Sequence, residues 1–284
     1  MLVGMSDQLV QLRKLINDNY VCPDAANTIT EGLVELMIPD DPARAAVILT
    51  DHLQRINHDR HLRVRRRPPG ATVQDDDLDG RYVVQARENA GGVRAVTRLD
   101  AETGLLTIAP YLSPVHLAEP YLVAAFGLLT GVTRLIIDLR AGLGGTPETV
   151  AFVCGYLLGD EPVYLQDVVD RDGRARQFWS VPAANRLADD ARIVVLTSSR
   201  TFSGCEELAY NLQALGRATI IGETTGGGAH PCEVFGLTDD LEVTIPVARS
   251  RNAVTGNNWE QVGVVPDIAC PAERALEVAR QTDR

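Results

Sequence analysis

The chain contains a single lysine, Lys14, and only five cysteines, Cys22, Cys154, Cys205, Cys232 and Cys270, none of them in a C-x-x-C pair. An odd number of widely spaced cysteines makes neither a disulfide frame nor a zinc site and fits reduced thiols. No metal and no cofactor is expected. The lack of lysine also excludes a phosphate loop at Gly226-Gly227-Gly228, because a Walker sequence ends in Lys-Ser/Thr. Long apolar runs are missing: Ala118 to Thr133 is broken by Glu119 and Pro120, well short of the roughly 18 residues that suggest a spanning helix. No membrane association is expected. Met1 to Gln8 has no basic start, apolar stretch or small-residue cleavage site, so no signal peptide is visible and a cytoplasmic location is expected. Positive charge is scarce as well, with 27 Lys and Arg against 38 Asp and Glu and a formal net charge of -11. That balance excludes a nucleic-acid backbone as the general partner. The one basic run, Arg63 to Arg67, leads straight into Pro68-Pro69-Gly70 and reads as solvated linker.

What is present is the composition of a soluble globular protein: 284 residues, 45% hydrophobic and 23% charged, long enough for a sizeable core. Helical spacing of Leu9, Leu12 and Ile16, of Ile29, Leu33 and Leu36, and of Ala46, Leu49 and Leu53 predicts a small helical bundle over residues 1–67. Prolines, glycines and the acidic run Asp75 to Asp77 predict a linker over 68–80. Beyond it, residues 81–284 alternate in the manner of an α/β domain. Strand-like runs fall at Leu105–Ala109, Leu135–Leu139, Ile193–Thr197, Thr219–Gly222 and Val243–Val247, with helices near Glu119–Leu129, Pro147–Leu158, Gly204–Leu215 and Ala272–Gln281.

One segment combines these elements in a chemically useful order. The apolar run Arg192 to Thr197 leads through Ser198-Ser199-Arg200-Thr201-Phe202 to Ser203, where a helix begins. A serine there can expose its hydroxyl above the strand ends, and the free N–H groups and positive dipole end of the helix can stabilise an oxyanion. Taken alone, Ser203-x-x-Glu206 reads first as a capping box serving stability. The surrounding words shift the balance. Thr197-Ser-Ser-Arg-Thr-Phe-Ser203-Gly-Cys-Glu-Glu-Leu, continuing to Pro231, resembles the nucleophile segment of the tail-specific, or C-terminal-processing, serine peptidases. Leu135-Ile-Ile-Asp-Leu-Arg-Ala-Gly-Leu-Gly-Gly145 is similar to that family's strand and glycine turn, and Asn258-Trp-Glu-Gln-Val-Gly-Val-Val-Pro-Asp267 to its C-terminal signature. The helical N-terminus ending in Asp59-Arg60-His61-Leu62 resembles that of the branch of interphotoreceptor retinoid-binding protein modules, and the chain as a whole is similar to that branch and to the tricorn core. The resemblance implies a ClpP/crotonase-like spiral of β-β-α units without an inserted PDZ domain.

Carried over residue by residue, the resemblance makes Ser203 the nucleophile and gives the oxyanion hole to Gly204 with Gly144 or Gly145 of the turn. Neither familiar base carries over. The position of the tail-specific lysine holds Gly228, and the stretch that bears the tricorn-like histidine reads Gly104-Leu105-Leu106-Thr107-Ile108. A serine hydroxyl needs a proton acceptor. His230, after a glycine run that can swing it towards Ser203, is the first choice, and His116 in a loop after the early strand is the second. His52, His58 and His61 rank below them as packing or surface residues, and Cys205 reads as a small buried side chain. Glu260 matches an acidic position near the catalytic group and is expected to orient the base or a bridging hydroxyl. The function expected is acyl-enzyme hydrolysis of peptides or small acyl substrates. The alternatives are a ligand-binding module for a hydrophobic small molecule, and a small-molecule esterase, amidase or cyclising acyltransferase. Related cores often assemble, so self-association is left open.

Overall fold

The computed structural model describes residues 7–33, 36–67 and 78–282. Residues 1–6, which carry most of the expectation about the N-terminus, and 68–77, most of the expected linker, lie outside them. In chain order the elements are α1 (Asp7–Asn19), α2 (Pro23–Glu31), α3 (Pro42–Asn57), β1 (Arg63–Arg66), α4 (Leu78–Glu88), β2 (Val93–Arg98), β3 (Thr103–Ile108), β4 (Tyr111–Leu112), α5 (Val115–Leu128), β5 (Arg134–Asp138), β6 (Gly144–Gly145), α6 (Pro147–Leu157), β7 (Tyr164–Asp170), β8 (Ala175–Trp179), β9 (Arg192–Thr197), α7 (Gly204–Ala214), β10 (Ala218–Gly222), β11 (Cys232–Gly236), β12 (Leu241–Pro246), β13 (Ala248–Asn252), β14 (Ile268–Ala269) and α8 (Ala275–Gln281). They fall into two compact units. The first comprises residues 1–77, 168–176 and 230–250, and the second 78–167, 177–229 and 251–284. The chain passes from one to the other within β7, β8 and β13, and also between residues 77 and 78 and between residues 229 and 230.

In the first unit, α1 to α3 form where the apolar spacing places them, and Leu12, Ile16, Ile29, Leu33, Leu49 and Leu53 are fully buried. Asp41 caps α3 by accepting the Arg44 N–H at 2.8 Å, with Pro42 at the first helical position. These helices do not close a bundle among themselves. Their apolar faces share a core with Val64, Leu241, Val243 and Ile245 of a three-stranded antiparallel sheet, ordered β1-β12-β11. Two expectations change as a result. Arg63 to Arg67 is not solvated linker: β1 pairs with β12 from Arg63↔Thr244 to Arg66↔Leu241, and Val64 is turned into the core. Residues 230–250, counted by sequence with the 81–284 core, belong with the N-terminal helices because β12 supplies the sheet they pack on. The expected linker also ends early, since 78–80 open α4.

The second unit is an α/β layer built on a six-stranded sheet ordered β14-β10-β9-β5-β3-β2, parallel except for β2 against β3. Parallel strands covered on both faces read as continuous apolar runs, and β5 and β9 do. Alternation along each strand sorts the side chains between two cores. Leu106, Ile137, Val195 and Ile220 align in register across the sheet, and they pack with residues of α5, α6 and α7. Ile136, Val194, Leu196 and Ile221 face the other way, with Ala275 and Ala279 of α8. Each fully buried leucine or isoleucine contributes about 1.5–3 kcal/mol, so the ends of β5 and β9, where the site lies, rest on a firmly packed floor. No described helix is long and apolar enough to cross a membrane.

Candidate active site

Strand β9 ends at Thr197, and the turn that follows is bonded to the turn after β5. Ser198 Oγ donates to the Arg140 carbonyl at 2.6 Å, Thr201 Oγ1 to the Leu139 carbonyl at 2.8 Å, and the Phe202 N–H to the Gly142 carbonyl at 3.0 Å. Ser203 then opens α7 with φ 52° and ψ −128°. A non-glycine residue in that region costs on the order of 1–3 kcal/mol and persists only where its surroundings hold it. A strained serine between a strand and a helix is the arrangement that exposes a nucleophile above a sheet.

The glycine turn lies directly against it. Gly144 has φ +148°, and a Cβ placed there would come within 3.2 Å of Ser203 Cβ and 3.5 Å of Ser203 Oγ. Gly204 and Gly145 approach backbone to backbone: a Cβ on Gly204 would meet the Gly145 oxygen at 2.5 Å and nitrogen at 2.7 Å. Ser203, Gly204, Gly144 and Gly145 are therefore brought together. Short β4 and β6 fix the turn by pairing Tyr111↔Gly144 and Leu112↔Gly145. A Cβ on Gly145 would sit 2.5 Å from Leu112 Cβ. Gly145→Ala is expected to lower stability by about 1–3 kcal/mol through overpacking, read as a lower denaturation midpoint; an unchanged midpoint would show that the β4–β6 contact is loose.

Glu206 does more than cap. It is fully buried, and four donors converge on it. Oε2 accepts the Ser203 N–H at 2.7 Å and the Gly228 N–H at 2.9 Å, while Oε1 accepts Thr225 Oγ1–H at 2.5 Å and the Gly227 N–H at 2.6 Å. Burial pushes this carboxyl above its ordinary range, and the four hydrogen bonds oppose the rise. The glycine run is consequently not a swinging segment, contrary to the sequence expectation. Every N–H from Thr225 to Ala229 has a partner within the second unit: the Val264 carbonyl, the Thr201 carbonyl, Glu206 twice, and Glu260 Oε2 at 2.6 Å. Trp259 Nε1 adds a bond to the Gly228 carbonyl at 2.8 Å. Glu260 is thus placed on the chain one residue before His230, as an acceptor for backbone.

The remaining candidates fall in different places. His230 lies in the first unit, where its Nδ1 is 2.9 Å from Asp59 Oδ2. Asp59 is buried and also accepts Tyr20 Oη–H at 2.9 Å and the His61 N–H at 2.9 Å. Burial raises the Asp59 carboxyl, but the hydrogen bond and charge of His230, with help from His61 and Tyr20, hold it below the usual range. The His61 imidazole is driven down to about 4, chiefly by burial and against the pull of Asp59. His116 is exposed in the first turn of α5. His52 contacts the Gly32 carbonyl at 2.8 Å, and His58 is the left-handed cap of α3. Cys205 is buried, with its thiol pushed up to about 12, principally by burial, which suits packing and not attack. Sequence reasoning missed Asp59 as a partner of His230 and the non-local donors on Glu206.

An α/β unit that presents one strained serine at a helix N-terminus, against a close-packed glycine turn, has the architecture in which serine hydrolases hold their nucleophile. Comparison with known proteins narrows the class: residues 102–270, more than half of the chain, match peptidase family S41, and the chain belongs to that family. It is 31% identical over 143 residues to a carboxyl-terminal-processing protease of Picosynechococcus sp. (strain ATCC 27264 / PCC 7002 / PR-6), covering 50% of this chain and 33% of that one. It is 30% identical over 141 residues to the chloroplastic carboxyl-terminal-processing peptidase 2 of Arabidopsis thaliana, covering 49% and 26%. The match thus spans a third or less of the length of these relatives. Among solved structures, a lipoprotein from Streptococcus agalactiae aligns with TM-score 0.61 and 14% identity over 99% of this chain and 98% of that one. A photosystem II D1 C-terminal processing protease aligns with TM-score 0.55 and 20% identity over 95% and 94%. At such identities the likeness shows the fold alone.

Proposed function

We propose that the protein is a serine peptidase of the carboxyl-terminal-processing type, cleaving peptides near an accessible C-terminus through an acyl-enzyme on Ser203, on a core of ClpP/crotonase-like β-β-α units. The observation that carries this reading is the strained Ser203 held against Gly144, with Gly145 and Gly204 in backbone contact. In the reaction Ser203 Oγ attacks the scissile carbonyl as a base takes its proton, and the Gly204 N–H with the Gly144–Gly145 turn receives the oxyanion. Collapse expels the amine, which takes the proton from the base. Water then attacks the ester and frees Ser203. Five free thiols suit a reducing compartment, so the cytoplasm is the proposed location.

His230 is kept as the proposed base. The position of the tail-specific lysine holds Gly228, and the one lysine of the sequence is Lys14, which supports a base of another type. With Asp59 accepting from Nδ1, the proton is fixed there and Nε2 becomes the basic nitrogen, the tautomer a general base requires. The test is peptide hydrolysis followed by mass spectrometry of the released C-terminal fragments. His230→Ala is expected to slow it by on the order of 10²–10⁴-fold, and His116→Ala to leave it unchanged. Loss of hydrolysis in His116→Ala with activity kept in His230→Ala would transfer the role to His116. The lack of both familiar bases, with Gly228 at the lysine position and no histidine in Gly104 to Ile108, favours one second reading, a ligand-binding module; no hydrolysis together with saturable binding of an apolar ligand would establish it.

A further inference from the structure

We infer that Glu206 is a positioning residue for Ser203: one buried carboxylate ties the nucleophile's backbone and residues 225–228 to a common anchor, and the reactivity of Ser203 depends on that anchor. The inference rests on the reading of Ser203 as nucleophile. Helix capping alone would need one bond, from the Ser203 N–H. The other three donors, Thr225 Oγ1–H and the N–H groups of Gly227 and Gly228, come from about twenty residues further along the chain. They are distributed two to each oxygen, so both oxygens must be acceptors. An ionised carboxylate satisfies all four, whereas a protonated acid or an amide cannot.

The packing around the anchor leaves it little freedom to drift. Thr225 Oγ1, which donates to Glu206, also accepts the Val264 N–H at 2.7 Å, and the Gly226 N–H is held by the Thr201 carbonyl at 2.9 Å, two residues before Ser203. The serine, its helix and the strip bearing Gly228 therefore form one bonded assembly with Glu206 at its centre. A displacement of Ser203 Oγ by about 1 Å is enough to cost on the order of 100-fold in a group-transfer rate. Glu206→Gln is the informative change because it keeps volume and shape. Whichever way the amide turns, its NH₂ faces two donors, and two of the four bonds are lost.

The experiment measures inactivation by a fluorophosphonate, resolved into the limiting rate kinact and the half-saturating concentration KI, with thermal denaturation and amide hydrogen exchange of ¹⁵N-labelled protein. Glu206→Gln is expected to fold, to lower kinact by at least about tenfold, to hold KI within about twofold, and to speed exchange at Gly227 and Gly228. A wild-type kinact in this variant overturns the inference, as does a loss that falls on KI and the denaturation midpoint together, which marks a merely structural role. Should Glu206→Gln not fold, Thr225→Val carries the test: it removes one donor from Oε1, leaves the Ser203 N–H on Oε2, and is expected to lower kinact about threefold to tenfold. An unchanged kinact there overturns the inference. If the wild type takes no label, the peptidase reading fails and exchange decides the anchor separately: slow exchange at Gly227 and Gly228 that quickens in Glu206→Gln sustains it, and fast exchange in the wild type refutes it.

Discussion

If Ser203 is the nucleophile proposed, Ser203→Ala is expected to abolish covalent labelling by a fluorophosphonate and to lower peptide hydrolysis by on the order of 10⁴-fold or more. Intact-mass spectrometry gives a clean readout: one adduct per wild-type chain and none on the variant. The fold is expected to survive, because alanine keeps the Cβ, and the Ser203 N–H still reaches Glu206 Oε2. It also keeps the strain. Ser203→Gly, in contrast, relieves the positive φ and is expected to exceed Ser203→Ala in stability by about 1 kcal/mol. That comparison separates the two properties argued for this position, chemistry and backbone strain, since both variants lose the label and only one gains stability. Labelling that persists in Ser203→Ala would place the nucleophile elsewhere. Equal stability of the two variants would show that the backbone at 203 is relaxed.

Local pattern made much of the fold legible. The three N-terminal helices follow from leucine and isoleucine spacing, and β3, β5, β9 and β10 from short apolar runs, because a strand buried on both faces is apolar throughout. Pro147 opens α6 at the first helical position its sequence suits, and Gly216, at φ +64°, follows α7. Pairing across long stretches of chain was not legible. Four residues with one inward side chain, Val64, between arginines look like linker until β12, about 180 residues later, provides the partner. Periodicity says which face of a strand is buried and is silent on which strand lies beside it. The same limit hid the chemistry of Glu206. Its sequence signature, Ser-x-x-Glu, names a cap, and three of its four donors arrive from residues 225–228 through tertiary folding. Asp59 was visible in the sequence as part of a family-like motif, but nothing local joins it to His230, 171 residues away.

The neighbour of Glu206 carries the second large effect. Glu207 is 3% exposed, and burial pushes its carboxyl up to about 8, with a smaller opposing contribution from Gln166 and a reinforcing one from the Glu148 charge. Its Oε1 has no hydrogen-bond partner among the described residues, so ionisation there would leave charge on an unsatisfied buried oxygen. The sign follows from linkage. Below the unfolded value near 4.5 both states are protonated and the full stability is present; as pH rises through 4.5 the unfolded chain releases the proton first, and stability falls until the folded carboxyl also ionises near 8. A separation of that size is worth on the order of 5 kcal/mol, a large share of the roughly 5–15 kcal/mol typical of a domain. Both tryptophans, Trp179 and Trp259, lie in the same unit as Glu207, so denaturant unfolding followed by tryptophan fluorescence reports on the correct unit. The wild type is expected to lose stability steadily from pH 5 to pH 8, while Glu207→Gln stays much flatter and becomes the more stable protein at the alkaline end. Glu206, also raised by burial, keeps a residual slope of the same sign in the variant. A Glu207→Gln curve that parallels the wild type, or lies below it at pH 8, would mean that Glu207 is ionised in the folded protein. In the arrangement described, the Glu207 N–H bonds the Ser203 carbonyl at 2.9 Å, so a helix turn bearing two buried acids supports the serine. One of the pair is satisfied as a carboxylate by four donors and the other is kept neutral by burial, which divides adjacent glutamates between anchoring the site and filling the core beneath it.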